Sequence, residues 1–171
     1  DRAIEYYEKS LDIKLKTLGS EHPDVAASYN NLGIVYDSKG EYDRAIEYHK
    51  KSLDIQLKTL GSEHPDVATS YNNLGIVYYS KGEYDKAIEY HKKSLDIKLK
   101  TLGIEHPDVA MSYNNLGSVY YSKGEYDRAI EYHKKSLDIW LKTLGSEHPD
   151  VAMSYNNLGS AYNYKGEYDK A

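Results

Sequence analysis

The sequence predicts an all-α fold in which antiparallel helix pairs stack into a linear array. Three observations lead to this prediction: a strict internal period, apolar residues at helical spacing within each copy, and single glycines and prolines where helices would end and begin. A unit this small cannot bury its own apolar face, so neighbouring copies must share one core. The period is 42 residues, marked by Asp1, Asp43, Asp85, Asp127 and Asp169.

The period predicts one repeat array over residues 1–171 rather than a globular domain. Residues 169–171 start a further copy, and because the chain begins and ends within the pattern we expect a fragment of a longer array. The two ends are then complementary surfaces, for which we expect head-to-tail self-association. Each full copy begins with a helix that we name B and ends with one that we name A, and the copies are residues 1–42, 43–84, 85–126 and 127–168.

Helix A is predicted over Pro65–Ser80 and its counterparts. A proline is tolerated in the first helical turn, where its missing N–H has no partner in any case, and the charge of Asp66 suits the same turn. Apolar and small residues then recur at helical spacing and predict one buried face. That face consists of Val67, Tyr71, Leu74, Gly75 and Tyr78.

Helix B follows after a short turn at Gly82 and is predicted from the acidic stretch 83–85 to Leu102. We expect left-handed glycines after both helices, at Gly82 and at Gly61 and its counterparts. The closest approach of the two helices is predicted at Gly75 and Ala87. Eight helices in the order B, A, B, A are expected. Most of the 20 tyrosines should pack between helices, because a tyrosine ring fills a thin layer while its hydroxyl reaches water.

Histidines are the residues that would suggest catalysis or metal binding. No two are spaced to share a metal, and the chain has no cysteine, no Gly-rich phosphate loop and no Ser-His-Asp device. The sequence therefore predicts no enzyme, no cofactor and no metal site. A role as N-cap or loop residue is predicted for His22, His64, His106 and His148. A partly buried, hydrogen-bonding role in place of an aromatic is predicted for His49, His91 and His133.

The repeat resembles the tetratricopeptide repeat. The matching residues, in order, are Tyr71, Leu74, Gly75, Tyr78, Gly82, Glu83, Tyr84, Ala87 and Leu95, with Asn73 at the asparagine position before Leu-Gly. His91 and Ser94 depart from the aromatic and alanine that are usual there, and Leu99 stands where the common form ends helix B with a proline. The resemblance implies a right-handed superhelical solenoid of antiparallel helix pairs, with the A helices along its concave side.

The extra length relative to the usual repeat of about 34 residues falls between Leu95 and Ala110 and adds about one turn to each helix. This long form, with Glu-His-Pro-Asp-Val-Ala leading into Tyr-Asn-Asn-Leu-Gly, resembles the repeats of kinesin light chains and those of NB-ARC and NACHT ATPases.

The charge pattern excludes some partners. The net charge is −5 with both signs interleaved, whereas a nucleic-acid interface is normally basic and clustered. No apolar run approaches the ~18 residues that a membrane span needs, and no charged-plus-apolar leader pattern is found in this sequence, so we expect no membrane segment. The expected partner is thus a protein or peptide segment, with neither nucleic acid nor membrane. The expected compartment is the cytoplasm, consistent with the absence of cysteine.

The positions that differ between copies gather on one face of helix A. In the tetratricopeptide fold this face lines the groove that binds extended peptides, so the resemblance implies a peptide-binding role. The asparagines either hold a ligand backbone or bond between adjacent A helices. The groove candidates are Ala27, Asn30, Asn31, Ile34, Asp37, Thr69, Asn72, Asn73, Ile76, Tyr79, Met111, Asn114, Asn115, Ser118, Tyr121, Met153, Asn156, Asn157, Ser160 and Asn163.

One helix-B position also varies: it reads Lys14, Gln56, Lys98 and Trp140. The single tryptophan is either an exposed apolar patch or a filler against the next unit, and we favour the filler. The function predicted from these observations is a non-enzymatic scaffold that binds a peptide in the helix-A groove. The alternative is a structural spacer or self-assembling array without a specific ligand, produced by recent duplication or consensus design.

Overall fold

A computed structural model describes residues 2–166, and all the secondary structure in that range is helical. The predicted start of a further copy at residues 169–171 lies outside the described residues. Within them the eight predicted helices are confirmed, alternating between B and A from the first. They are α1 (Arg2–Leu18), α2 (Pro23–Ser38), α3 (Tyr42–Leu60), α4 (Pro65–Ser80), α5 (Tyr84–Leu102), α6 (Pro107–Ser122), α7 (Tyr126–Leu144) and α8 (Pro149–Lys165).

Each A helix begins at a histidine, as the sequence predicted. His64 has an extended backbone, and its Nδ1 accepts a hydrogen bond of 3.1 Å from the backbone N–H of Asp66, while Pro65 occupies the first turn. This bond satisfies one of the four N–H groups that a helix start leaves unpaired. The same cap is formed by His22, His106 and His148.

The glycines between helices have positive φ, which a side chain would disfavour. Gly61, after α3, has φ 87° but ψ 163°. Its φ is positive as expected, but its ψ is not that of a left-handed cap, so that part of the prediction was wrong. The chain turns instead at residues 62–63, where the N–H of His64 donates to the carbonyl of Gly61 at 3.4 Å. Gly166, at the end of α8, has φ 83° and ψ 18° and is left-handed as expected.

The chain forms two compact units, which we name unit 1 (up to Tyr90) and unit 2 (from His91). In unit 1, α2 packs between α1 and α3, and α4 packs on α3. In unit 2, α7 packs between α6 and α8. The same apolar positions form both cores, because Val25 and Leu32 of α2 and Val109 and Leu116 of α6 are fully buried.

Tyrosines join each A helix to the B helix that follows it. In unit 1 the rings of Tyr36 and Tyr48 stack with centroids 5.3 Å apart, and in unit 2 Tyr120 and Tyr132 repeat this arrangement at the same distance. Tyr36 and Tyr120 are buried. The predicted packing role of these tyrosines is confirmed.

The closest approach of the A and B helices involves a glycine and a histidine. A Cβ atom added to Gly33 would lie 2.7 Å from the ring of His49, and one added to Gly117 would lie 2.7 Å from that of His133. Gly33 and Gly117 are counterparts of Gly75, so the glycine position of the predicted close approach is correct, and Ala87 is fully buried. Along the described residues, no helix combines the length and apolar character that crossing a bilayer requires.

Candidate functional site

Half of the predicted groove residues are exposed along the A helices. We name this face the helix-A surface. In unit 1 it comprises Ala27, Asn31, Ile34, Thr69, Ile76 and Tyr79. In unit 2 it comprises Met111, Met153, Asn156 and Asn163. Its five large apolar side chains are between 36% and 48% exposed, so the surface offers apolar contact area beside amide groups.

The other groove candidates lie deeper. Asn114 is buried. Half-buried positions are occupied by Asn30, Asp37, Asn72, Asn73, Asn115, Ser118, Tyr121, Asn157 and Ser160. These side chains line the base of the helix-A surface or the space between helices, where a ligand would reach them after the exposed residues.

Asparagine and histidine side chains form the same network in both units. In unit 1, Asn30 Oδ1 accepts a hydrogen bond of 3.0 Å from Asn73 Nδ2 and lies 3.0 Å from His49 Nδ1. Because that oxygen is an acceptor, His49 must carry its proton on Nδ1. These bonds connect adjacent A helices, which is one of the two roles that the sequence left open. Ligand binding by the asparagines stays a prediction.

In unit 2 the network is formed by Asn114, Asn157 and His133, with distances of 3.0 Å and 3.1 Å. Burial lowers the pKa of His49 and of His133 to about 4. Both rings are therefore neutral at pH 7, and the Nδ1–H donors hold their asparagines in one orientation. The buried, hydrogen-bonding role predicted for these two histidines is confirmed.

A cavity of about 230 Å³, which we name the Gln56 pocket, opens among α2, α3 and α4 of unit 1. Gln56 projects from α3 into its wall, where Gln56 Oε1 accepts a hydrogen bond of 2.6 Å from the hydroxyl of Ser70. The lining residues are Pro23, Ala26, Ala27, Asn30, Gln56, Thr59, Leu60, Asp66, Thr69 and Ser70. The groove candidates omitted Gln56 and Ser70, although variation at position 56 between copies was a signal for this pocket.

Two other copies have a lysine at this position. In unit 1, Lys14 Nζ donates to Ser28 Oγ at 2.8 Å and approaches the carbonyl oxygen of Asp24 at 3.4 Å. In unit 2, Lys98 Nζ donates to Ser112 Oγ at 3.1 Å. Burial lowers the pKa of Lys98, and the nearby carboxylate of Asp108 opposes that shift.

In the fourth copy Trp140 occupies the position and is only 1% exposed. The tryptophan is thus the buried filler that the sequence favoured and not an exposed patch. An indole cannot accept a hydrogen bond as an amide oxygen does. Accordingly, Ser154, the counterpart of Ser70, is fully buried and its hydroxyl has no hydrogen-bond partner in the protein.

A second cavity of about 190 Å³ in unit 1 is lined by Ile34, Asp37, His49, Asn73, Ile76 and Val77. Asp37 Oδ1 is buried there without a hydrogen-bond partner, and burial raises the pKa of this carboxyl. Among the residues that the structure describes, no group of three or more histidines and carboxylates is arranged to hold a metal ion.

Comparison with known proteins identifies the repeat. The tetratricopeptide repeat pattern matches four overlapping segments that together span the chain, residues 1–58, 38–100, 66–138 and 108–171. The chain belongs to the tetratricopeptide repeat family. Its fold is the all-α repeat solenoid of that family, in a form with 42-residue repeats. The right-handed superhelical path stays a prediction.

Solved structures of tetratricopeptide proteins are similar over almost the whole chain. BtubC (BKLC) from P. vanneervenii is 31% identical with a TM-score of 0.88, and the match covers 99% of this chain and 68% of BtubC. The nearly identical TPR-like repeats of a Podosopora anserina protein assigned to kinesin light chain are 35% identical with a TM-score of 0.85, covering 98% and 80%. The apo form of RapI, at 23% identity and a TM-score of 0.82, covers 98% and 58% and supports the fold alone.

No curated protein matches this sequence. Tetratricopeptide repeats are generally protein-interaction scaffolds and are typically non-enzymatic. The family therefore supports the predicted class of partner, a protein or peptide, without naming one.

Proposed function

We propose that this tetratricopeptide array is a non-enzymatic scaffold that binds a peptide segment along the helix-A surface. The observation that carries the proposal is that the positions of helix A that vary between copies, 27, 34 and 37 with their counterparts, are exposed or half-buried on this surface, whereas the buried positions of helix A are nearly invariant. Ile34, Ile76 and Tyr79 in unit 1 and Met111 and Met153 in unit 2 supply the apolar contacts. Several such contacts along neighbouring repeats add up to useful affinity although each is weak.

Selection from a random peptide library displayed on phage tests the proposal. We expect enriched peptides, and we expect their binding to weaken at least tenfold in the double variant Ile76→Ser/Tyr79→Asn. These residues are chosen because the chain itself has Ser118 and Asn163 at the matching positions, so the fold tolerates them. The matched control is Lys50→Ala on α3, an exposed residue of a B helix. Equal weakening by the control would contradict the proposed surface.

The asparagine role is tested with the same peptides. Asn31 is exposed on α2, whereas Asn73 is half-buried and bonded to Asn30. If asparagines hold the ligand backbone, Asn31→Ala should weaken binding while thermal stability is unchanged. Loss of binding only in Asn73→Ala, together with lower stability, would instead assign these residues to helix-to-helix bonding.

Self-association is the second candidate, and one exposure difference favours it. Ile13 of α1 is 61% exposed, whereas its counterparts Ile55, Ile97 and Ile139 are each 7% exposed. In later copies a neighbouring A helix covers this isoleucine, whereas in α1 the same apolar face is uncovered. Sedimentation velocity at increasing concentration tests this candidate: a rising mean mass supports head-to-tail assembly, and a constant monomer mass contradicts it.

A further inference from the structure

We propose that the Gln56 pocket binds the side-chain ammonium of a lysine in the partner segment. This inference rests on the proposed function, since it assigns a side-chain specificity to one place on the same surface. The pocket is many times larger than the ~10–15 Å³ that a single water needs. Its wall combines Ala27, Pro23 and Leu60, which suit a methylene chain, with the oxygen acceptors that an ammonium requires.

The chain shows the proposed ligand chemistry in its own copies. Lys14 and Lys98 stand where the second copy has Gln56, and each places its Nζ against the serine that corresponds to Ser70. The backbone carbonyl of Asp24, a counterpart of Asp66, lies 3.4 Å from Lys14 Nζ, and the carboxylate of Asp108 opposes the lowering of the Lys98 pKa by burial. An ammonium is thus accommodated at this place twice. At Gln56 the side chain is shorter and uncharged, and Ser70 and Asp66 keep the same positions without a lysine from helix B.

Of the three helices that enclose the pocket, α2 and α4 carry only acidic charges, whereas α3 carries charges of both signs. Helices α2 and α4 contain no lysine or arginine, and their charged residues are Asp24, Asp37 and Asp66. Asp66 lines the Gln56 pocket itself, and its side chain is 61% exposed and accessible to a ligand. The amide NH2 groups of Asn30 and Gln56 could donate to an acidic side chain in the pocket, but the Asp66 carboxylate would repel it. An ammonium there gains charge-assisted hydrogen bonds.

Unit 2 shows how the pocket is closed. Trp140 replaces Gln56, and Met111 and Met153 replace the smaller Ala27 and Thr69. Because Trp140 is buried, the space that the glutamine leaves open in unit 1 is filled by the indole. The proposed lysine site is therefore a property of unit 1, which would fix the register of a bound segment along the array.

Nuclear magnetic resonance tests the site with a defined probe. Gln56 is the single glutamine of the chain, so selective ¹⁵N-glutamine labelling gives one side-chain amide that lies in the pocket wall. The two methionines, both in unit 2, report non-specific binding when their methyl groups are labelled. The probes are N-acetyl-lysine methylamide and N-acetyl-norleucine methylamide, which differ in the ammonium. We expect the lysine probe to cause saturable chemical-shift changes of the Gln56 side-chain amide. The norleucine probe should need at least a tenfold higher concentration to cause the same changes.

Equal affinity for the two probes, or shifts at the methionines without shifts at Gln56, would overturn the inference. The blocking variant Ala27→Met/Thr69→Met copies the residues of unit 2 and retains the Gln56 label, and we expect it to weaken the lysine probe at least tenfold. The opening variant Trp140→Gln/Met153→Thr adds a second glutamine, whose amide should then respond to lysine. If the opening variant does not fold, the blocking variant still decides, with Lys50→Ala as the unaffected control.

The peptide selection separates this inference from the proposed function. Selected peptides with lysine enriched at one position, and loss of that enrichment in the blocking variant, support both. Selected peptides without lysine enrichment overturn the lysine site and leave the scaffold function standing. Binding of the lysine probe without any selected peptide supports the pocket and contradicts the scaffold function.

Discussion

The surroundings of Gln56 in unit 1 and of Trp140 in unit 2 differ although almost every residue around them is repeated. Gln56 accepts a hydrogen bond from Ser70 and leaves a cavity of about 230 Å³. Trp140 is buried but leaves the hydroxyl of Ser154 without a partner. At this position, glutamine gives a satisfied hydrogen bond and leaves an open pocket. Tryptophan gives apolar packing and leaves a buried hydroxyl without a partner. In a repeat protein, such a substitution changes function at one place without changing the fold.

The largest effect should come from a feature that both units share, the buried histidines of helix B. Burial lowers the pKa of His49, His91 and His133 to about 4, from 6.5 when exposed. Folding therefore favours the neutral rings, and the stability they contribute is complete above pH 6.5 and lost progressively as the pH falls towards about 4. At about 1.4 kcal/mol per pKa unit, each histidine lowers the free energy of unfolding by on the order of 3 kcal/mol over this pH range.

Urea unfolding at pH 7, 5.5 and 4.5 measures this loss. The variant with all three histidines changed to glutamine keeps a neutral hydrogen-bonding side chain and should show a much flatter dependence on pH. Parallel curves for the wild type and this variant would show that carboxylates, and not these histidines, control acid unfolding.

The second prediction removes the filler that distinguishes unit 2. Trp140→Gln deletes a fully buried aromatic ring and should lower the free energy of unfolding by about 3 kcal/mol, because the cavity cannot fully collapse. Lys134→Gln, an exposed change on the same helix, should cost less than about 1 kcal/mol. Urea unfolding followed by circular dichroism provides the comparison, and similar losses for the two variants would contradict the packing role of Trp140.

A third prediction uses two glycines in equivalent positions of unit 2. Gly117→Ala would place its Cβ 2.7 Å from the ring of His133, and this overpacking should destabilise the protein by about 1–3 kcal/mol. Gly159→Ala meets nothing within 4 Å and should stabilise α8 by up to about 1 kcal/mol, because alanine favours a helix. Thermal melts should therefore move in opposite directions. A lower melting temperature for both would mean that the glycines are needed for another reason.

The smallest effect tests the hydroxyl groups. Ser70→Ala removes the hydrogen bond to Gln56 and should cost about 1 kcal/mol, whereas Ser154→Ala removes a buried hydroxyl without a partner and should be neutral or slightly stabilising. Urea unfolding of the two variants gives the difference directly. A larger loss for Ser154→Ala would show that its hydroxyl is satisfied, for example by water.

The sequence predicted most of the fold because the determinants of the fold are local and repeated four times. Proline, glycine and apolar spacing predicted Pro65–Ser80 at the bounds that the structure has, and they placed the start of the next helix within residues 83–85 and its end at Leu102. The extended ψ of Gly61 was missed, since a positive φ is all that glycine signals. The histidine cap was accessible from sequence because the proline after it marks the helix start.

The candidate site was predicted less completely. Variation between copies located the exposed residues of the A helices. For Gln56 it indicated a variable position of helix B, but it did not indicate a pocket. A pocket depends on how three helices enclose space, and spacing along one helix does not contain that information. The exposure of Asn31 and the bonded state of Asn73 were likewise indistinguishable in sequence, since the two residues occupy the same position of successive copies.

The asparagine network has a direction. Asn73 donates to the asparagine one copy earlier in unit 1, and Asn157 does the same in unit 2. Within each unit, the later copy thus brings an amide donor for the copy before it, and the earlier copy brings the accepting oxygen. Because the donor and the acceptor recur at fixed positions of the repeat, we expect the addition or removal of whole copies to preserve this pairing, so that the array length can change in evolution without a compensating mutation.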